Sequence, residues 1–400
     1  MSTPSFDVVV IGGGIVGVAA ARAIALNGGH RVLVVEAEPR LAAHQTGRNS
    51  GVIHSGLYYR PDSDKARLCT KGRHALFAYC EKENIPHRRC GKLVVATDES
   101  QIPAIEELER RGLANGLGGL QRLDSSSLRD REPAVRGLAG LWVPETGIVD
   151  FAEVTRSLAR EIQERDGEIL LGAKVRKIRR QGGRIQIQTQ NNEIHGRLLV
   201  NCAGLQSDRV ARLAGLDPQI RLIPFRGEYY QVQGEARQLV RSLIYPVPDA
   251  RFPFLGVHLT RTIDERVLAG PNALPAFKRE GYRRTDCSVR DLLDTLSFPG
   301  FWRLAGNFWR TALAETRRSL NKRAFCRETQ RLVPGITERD LGAAPSGVRA
   351  QAVDRSGTLL DDFFILRGAG MIHVLNAPSP AATAALAIGD HIASLAEQDL

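Results

Sequence analysis

Four residues at fixed spacing carry the clearest chemistry. Gly12, Gly14 and Gly17 stand in the run Gly12-Gly13-Gly14-Ile15-Val16-Gly17, and Glu36 follows about twenty residues later. Glycines so placed permit a tight turn, a close backbone approach to a pyrophosphate and tight packing of a helix on a strand. The acid can accept hydrogen bonds from ribose hydroxyls. These four need a strand before them and a helix after. Phe6-Asp7-Val8-Val9-Val10-Ile11 is a β-branched run that ends at Gly12, residues 18–26 are Ala-rich and helical, and residues 31–35 form a second strand that ends at Glu36. The helix N-terminus offers N–H groups and a positive dipole end to phosphates. This strand–turn–helix–strand–acid unit implies an adenine dinucleotide.

At 400 residues, with 43% hydrophobic and 25% charged residues, the chain is an ordinary globular protein with room for two domains. A net charge of +11 favours anionic partners: substrate carboxylates, phospholipid or nucleic acid. Six scattered cysteines with no C-x-x-C pair argue against a zinc site or a disulfide framework and suggest a reducing compartment. Residues 8–26 imitate a signal sequence, but Asp7 precedes them, no basic region does, and glycines and Arg22 interrupt them. No other window offers the ~20 uninterrupted apolar residues that span a bilayer. The expectation is a chain without signal or transit peptide, in the cytoplasm or peripheral on the cytoplasmic face of a bacterial inner membrane.

Along the chain, residues 42–56 form a long polar Gly-rich loop of the kind that carries function. Helices are expected at 65–84, 102–115 and 151–165, and a strand at 91–97. Short strands at 169–171, 174–180, 184–190 and 198–200 read as a three-stranded meander whose last strand feeds Asn201-Cys202-Ala203-Gly204. Residues 225–230, 256–261 and 267–271 read as strands of a larger antiparallel sheet, and residues 291–320 as one helix rich in aromatics. A strand pair at 362–366 and 371–375, then Asn376-Ala377-Pro378-Ser379-Pro380-Ala381-Ala382-Thr383 and a helix, return to the cofactor domain. The fold class is α/β: a discontinuous Rossmann-like cofactor domain (1–85, 146–220, 341–400) with an antiparallel-sheet substrate domain (86–145, 221–340).

These segments resemble the FAD-dependent D-amino-acid-oxidase-like oxidoreductases over nearly the whole chain. The specific ones are His44-Gln45-Thr46-Gly47, Asn49-Ser50-Gly51-Val52-Ile53-His54-Ser55-Gly56, Tyr58-Tyr59 and Pro224-Phe225-Arg226-Gly227-Glu228-Tyr229. Pro253-Phe254-Leu255-Gly256-Val257-His258-Leu259-Thr260-Arg261, Gly270-Pro271-Asn272-Ala273, Ala276-Phe277-Lys278-Arg279-Glu280-Gly281-Tyr282, Gly347-Val348-Arg349-Ala350-Gln351-Ala352 and the 376–383 loop complete the set. The resemblance implies FAD, oxidation of the dicarboxylate 2-hydroxy acid L-2-hydroxyglutarate to 2-oxoglutarate, and electrons passed to a membrane quinone. The cofactor residues it implies are Gly12, Gly14, Gly17, Glu36, Gln45, Thr46, Ser50, Val175, Ala203, Gly204, Asn376 and Ser379. Two departures stand out: Arg48 in place of a His, read as a phosphate or surface variation, and the aromatic-rich segment 298–309.

Oxidising a 2-hydroxy acid needs a base for the hydroxyl proton and cations that hold the carboxylates. The resemblance makes His54 the first choice for the base, set against a His that only hydrogen-bonds flavin or a carbonyl. His258 is the rival. It sits on an expected strand with Arg261 three residues on, so the two point to opposite faces. His373, inside an expected strand, reads as structural. Arg349 is the leading substrate cation, because an Arg fork matches a carboxylate bidentately. Arg226 and Arg261 are candidates for the second carboxylate, with Tyr229, Tyr230 or Tyr245 donating hydroxyls. Lys278 and Arg279 read as surface charges.

Phe298, Phe301, Trp302, Phe308 and Trp309 among Arg303, Arg310, Arg317 and Arg318 read either as a membrane-surface helix or as a packed helix with a basic face. Two other functions compete. One is another flavoenzyme of the same family, an amino-acid or amine oxidase or a glycerol-3-phosphate dehydrogenase. The other is a basic FAD protein acting on nucleic acid. No nucleic-acid module is recognised, and no such partner is expected.

Overall fold

The computed structural model describes residues 5–248 and 256–400, and within the helix Pro299–Leu320 the side chains of residues 299–307, 309 and 319. Pro253, Phe254 and Leu255 of the expected motif, and the side chains of Phe308, Arg310, Arg317 and Arg318, lie outside that set.

Strand Ser5–Ile11 is central in an eight-stranded sheet among the described residues. It pairs parallel with Val32–Val35 on one side and Glu193–Asn201 on the other. Val32–Val35 and residues 198–200 of the other neighbour are apolar and buried on both faces, as a sheet covered by helices requires. The expected meander is present: Lys177–Gln181 and Arg184–Gln188 pair antiparallel, and the second pairs with Glu193–Asn201. That last strand then runs parallel beside Ser5–Ile11 and delivers Ala203 and Gly204 to the first glycine turn. Strand Met371–Asn376 joins the same sheet through Leu199 to Asn201, so distant parts of the chain meet here. Helices Ile15–Gly28, Phe151–Gln163 and Ala385–Glu397 pack into one core with its strands.

A second eight-stranded sheet draws on residues 92–143, 230–270 and 341–343. All its pairings are antiparallel except one: Lys92–Ala96 lies parallel to Leu243–Pro246. One face buries Leu93, Val95, Ile244, Val257 and Leu259 against helix Lys322–Leu332. Residues alternate along strands, so Lys92, Tyr245, His258 and Thr260 point to the opposite face.

Two expected elements divide. Residues 225–230 are not one strand: Ile220–Gly227 ends in a three-stranded sheet, and Tyr230–Val232 starts in the eight-stranded one. Residues 291–320 are two helices, Val289–Leu296 and Pro299–Leu320. Pro299 has no N–H and disfavours helix at the residue before it, so the first helix stops and a new one begins.

Arg279 is not a surface charge. It is 2% exposed and donates to both carboxylate oxygens of the buried Asp208 and to Asp294 Oδ2 at 2.8 Å. Arg209 adds hydrogen bonds to Asp291 and Asp294. This network ties helix Ser207–Leu213 of the cofactor side to helix Val289–Leu296.

Candidate active site

The dinucleotide end follows from the glycine turn. Gly12 has φ +117°, and a Cβ there would stand 2.3 Å from the Cys202 carbonyl oxygen. At Gly17 a Cβ would stand 2.1 Å from the Gly12 oxygen. Only glycine lets these three backbones touch. Helix Ile15–Gly28 has Gly14 at its N-cap with no side-chain cap and no acid in its first turn, which leaves its positive end for an anion. Thr46 Oγ1 accepts the Ile15 N–H at 3.1 Å, placing the polar loop over that end. Glu36 Oε2 accepts the Gly13 N–H at 2.6 Å, and Oε1 accepts from Glu38 N at 2.8 Å. Its other lone pairs are available to ribose hydroxyls. The Ala173 N–H bonds the Glu36 carbonyl, which brings the stretch holding Val175 beside the acid. These features fit FAD, with phosphates on the helix end and ribose on Glu36. Bound there, the flavin supplies the electron acceptor for a two-electron oxidation.

The polar loop continues toward a second cluster. Gln45 Oε1 accepts from Ala350 N at 3.2 Å, beside Arg349. Gly204, with φ +53°, packs against Gln45. Tyr229 lies beside Ser50 and Arg349, and Tyr59 beside Ser379. The His54 N–H donates to Thr383 Oγ1 at 3.0 Å, so the 376–383 loop seats the histidine. The Asn376 side-chain NH2 is committed to the carbonyls of Leu360 and Asp362.

His54, His258 and Tyr245 lie close together, with Tyr229 partly buried and Arg349 at the exposed side of the group. His54 is surrounded by protein yet keeps some accessible surface. Burial pulls its pKa to about 3, helped by the charges of Lys92, His258 and Arg349. His258 is likewise pulled to about 3, by burial first and then by Arg349 and Lys92, against a hydrogen bond from its ring to the Gly256 carbonyl. That bond, Nδ1 to oxygen at 2.9 Å, fixes Nδ1 as the protonated nitrogen. The His258 ring stacks on Tyr245 at 4.1 Å. Both histidines are neutral at physiological pH and able to accept a proton.

Three expected substrate residues face elsewhere. Arg226 pairs in register with Val348, and Arg349 with Phe225, so the two arginines leave opposite faces of the same strand pair. Arg226 is held by Glu228 at 3.0 Å and by the Arg283 carbonyl. Arg261 shares the Leu259 face, away from His258, and is bound to Glu265 and the Val240 carbonyl. Tyr230 packs on Phe325 at 4.7 Å, and Tyr229 is the tyrosine that turns inward. His373 is buried among core strands, with Nδ1 accepting from Asn201. Arg48 lies over the Tyr282 ring at 3.7 Å and lines a cavity of about 600 Å³ with Tyr229 and Arg284.

Lys92 was missed by sequence reasoning. It is 1% exposed, and its ammonium sits 4.1 Å from the Tyr58 ring centre and 5.3 Å from that of Tyr245. The available signal was a lone lysine opening the otherwise apolar strand Lys92-Leu93-Val94-Val95-Ala96. A lysine is almost never fully buried without a partner.

Known proteins fall in line with this geometry. A family model described as FAD dependent oxidoreductase matches residues 7–395. The L-2-hydroxyglutarate dehydrogenase of Indibacter alkaliphilus is 49% identical over 96% of this chain and 97% of its own. Those of Bos taurus (mitochondrial) and Escherichia coli strain K12 are each 44% identical, over 99% and 97% of this chain and 90% and 92% of theirs. Among solved structures, the FAD-bound L-alpha-glycerophosphate oxidase of Mycoplasma pneumoniae superposes with TM-score 0.81 at 23% identity, covering 99% of this chain and 95% of that one. Glycine oxidase from Geobacillus kaustophilus follows at 0.74 and 17%, covering 99% and 95%. The chain belongs to the FAD-dependent oxidoreductase family.

Proposed function

We propose that this protein oxidises L-2-hydroxyglutarate to 2-oxoglutarate at bound FAD and passes the electrons to a membrane quinone. The observation that carries the substrate reading is a charge imbalance around His54 and His258. Arg349 and Lys92 stand beside two neutral histidines, and among the described residues neither cation has a carboxylate partner. An anionic substrate would complete the site. Full-length relatives of that activity at 43–49% identity support the same substrate.

In this reading Arg349, with Tyr229 beside it, orients the carboxylate next to the hydroxyl. His54 would accept the hydroxyl proton, and FAD, when bound, would supply the two-electron acceptor. A substrate carboxylate on Arg349 would offset part of the repulsion that lowers the His54 pKa and make the ring more basic. His258, stacked on Tyr245, fixes one wall.

The acceptor and the membrane contact are supported by surface chemistry. No helix among the described residues is long and apolar enough to cross a membrane. Phe277, Val289, Leu293, Trp302 and Trp309 are all at least half exposed, within one stretch of chain that also exposes Arg290 and Arg303.

The test is anaerobic bleaching of the flavin band by L-2-hydroxyglutarate, with the D-isomer, glycerol-3-phosphate and sarcosine alongside. Rapid bleaching by the L-isomer alone is expected. Bleaching by glycerol-3-phosphate or sarcosine instead would replace this substrate with another of the family.

A further inference from the structure

We infer that Lys92 receives the second carboxylate of the substrate and so sets a preference for dicarboxylate over monocarboxylate 2-hydroxy acids. This rests on the reaction proposed above and deepens it. The two arginines that the sequence offered for that carboxylate are taken: Arg226 by Glu228, and Arg261 by Glu265. A dianionic substrate still needs a cation besides Arg349.

Lys92 meets that need by position and by state. Among the described residues three large cations are at most 2% exposed: Arg73 and Lys92 at 1%, and Arg279 at 2%, the last paired with Asp208. Arg73 is neutralised by Glu145 and hydrogen-bonded to the Ser55 carbonyl. Lys92 has neither kind of partner among the described residues. Its neighbours are the rings of Tyr58 and Tyr245, and Tyr245 stacks directly on His258. Both histidines feel the charges of Lys92 and Arg349, so the two cations lie around one histidine pair.

The titratable groups around Lys92 are Tyr58, Cys69, Tyr245, His54 and His258. None is an acid at neutral pH: burial raises both tyrosines, and the Cys69 thiol is pushed up to about 12. An ammonium with no counter-ion in an enclosed site is costly. Burial accordingly lowers the Lys92 pKa to about 7. A bound carboxylate supplies the missing counter-ion and draws a proton onto the neutral fraction of Lys92. A monocarboxylate of the same length puts a methyl group there and does neither.

Two measurements on the holoenzyme test this. The first compares kcat/KM for anaerobic flavin reduction by L-2-hydroxyglutarate and by L-2-hydroxypentanoate, in wild type and Lys92→Met. Methionine matches the length of the lysine stem and suits a buried site. The ratio of the two constants should fall roughly 10- to 100-fold in the variant, the worth of one hydrogen bond to a charged group, mainly through KM for the diacid. A ratio kept within threefold, in a wild type that L-2-hydroxyglutarate reduces, overturns the Lys92 role and leaves the proposed reaction standing. A wild type that L-2-hydroxyglutarate does not reduce overturns both.

The second needs no variant. Adding 2-oxoglutarate to wild type in weak buffer near pH 8, with an indicator dye, should take up close to one proton per site. 2-Oxopentanoate should take up almost none. Equal uptake with both acids, or none with either, overturns the assignment.

Discussion

Removing one histidine at a time separates two roles that the geometry assigns differently. His54 keeps some accessible surface, and its ring nitrogens make no hydrogen bond among the described residues. His258 is 6% exposed, spends Nδ1 on the Gly256 carbonyl and lies flat on Tyr245. A general base is worth about 10²–10⁴ in rate, or roughly 3–5.5 kcal/mol. A stacked ring pair is worth about 0.5–1.5 kcal/mol, and a neutral hydrogen bond about 1 kcal/mol. His54→Ala should therefore slow flavin reduction at saturating L-2-hydroxyglutarate at least about 100-fold with FAD still bound. His258→Ala should cost roughly 10- to 50-fold. Stopped-flow absorbance reads the reduction, and the oxidised flavin spectrum verifies the cofactor. The pH profile adds a second constraint. The site histidines titrate near pH 3 in the free enzyme, so kcat/KM should show no acid limb near pH 6.5. A His54→Ala enzyme within tenfold of wild type, alongside a His258→Ala enzyme slowed beyond 100-fold, would refute the assignment. An acid limb centred on pH 6.5 would refute the account of burial.

Glu36→Gln should weaken FAD binding about 10- to 150-fold, because a charged acceptor for the Gly13 and Glu38 N–H groups becomes a neutral amide with an N–H of its own. Flavin fluorescence titration of the apoprotein measures this, and a change under threefold would remove Glu36 from the ribose site. Arg279→Met leaves Asp208, fully buried, without its bidentate partner. Breaking one side of such a pair costs roughly 3–5 kcal/mol, read as a lower denaturant midpoint of the holoenzyme. A loss under about 1 kcal/mol would mean that the network does not join the two halves.

The cofactor half of the molecule was legible because its signals are local. A strand, three glycines, a helix and an acid within residues 6–36 constrain one another over short distances. The substrate half was legible in composition but not in direction. Whether an arginine faces the cavity depends on strand parity, and parity depends on where strands break. Reading 225–230 as one strand hid the change of sheet after Gly227, and with it the inward turn of Tyr229 in place of Tyr230. Arg226 and Arg349 look equivalent in sequence, and only the pairing of Phe225 with Arg349 sets them on opposite faces. Arg279 sits between Lys278 and Glu280 and looks solvated. Its partner Asp208 lies 71 residues away, a contact that no local pattern encodes. Lys92 is the reverse case. Its strand was identified, and the one charge inside that strand was the available clue.

The break at Pro299 also reshapes the membrane question, because it divides the aromatic segment into inward and outward parts. Phe298 is 5% exposed and packs with Ile223, Leu304 and Val353, so part of the expected lipid-facing set belongs to the core. The outward part is Val289 at 71%, Leu293 at 61%, Trp302 at 59% and Trp309 at 53%. The Trp302 indole donates to the Leu296 carbonyl, which joins the end of the first helix to the start of the second. Fully burying such a side chain is worth about 1.5–3 kcal/mol, so burying the half that remains exposed is worth roughly 1 kcal/mol each. Four of them alone would give weak, reversible attachment. Basic residues near an anionic surface add about 1 kcal/mol each at low salt. The expected behaviour is thus co-sedimentation with vesicles containing phosphatidylglycerol, little with phosphatidylcholine alone, and release as salt rises. Val289→Glu with Leu293→Glu should abolish pelleting while leaving the flavin spectrum intact, since neither side chain has much packing to lose. Pelleting that persists in this double variant would move the contact to another face. Wild type that stays in the supernatant with anionic vesicles at low salt would sink the membrane proposal, and a soluble electron acceptor would take the quinone's place.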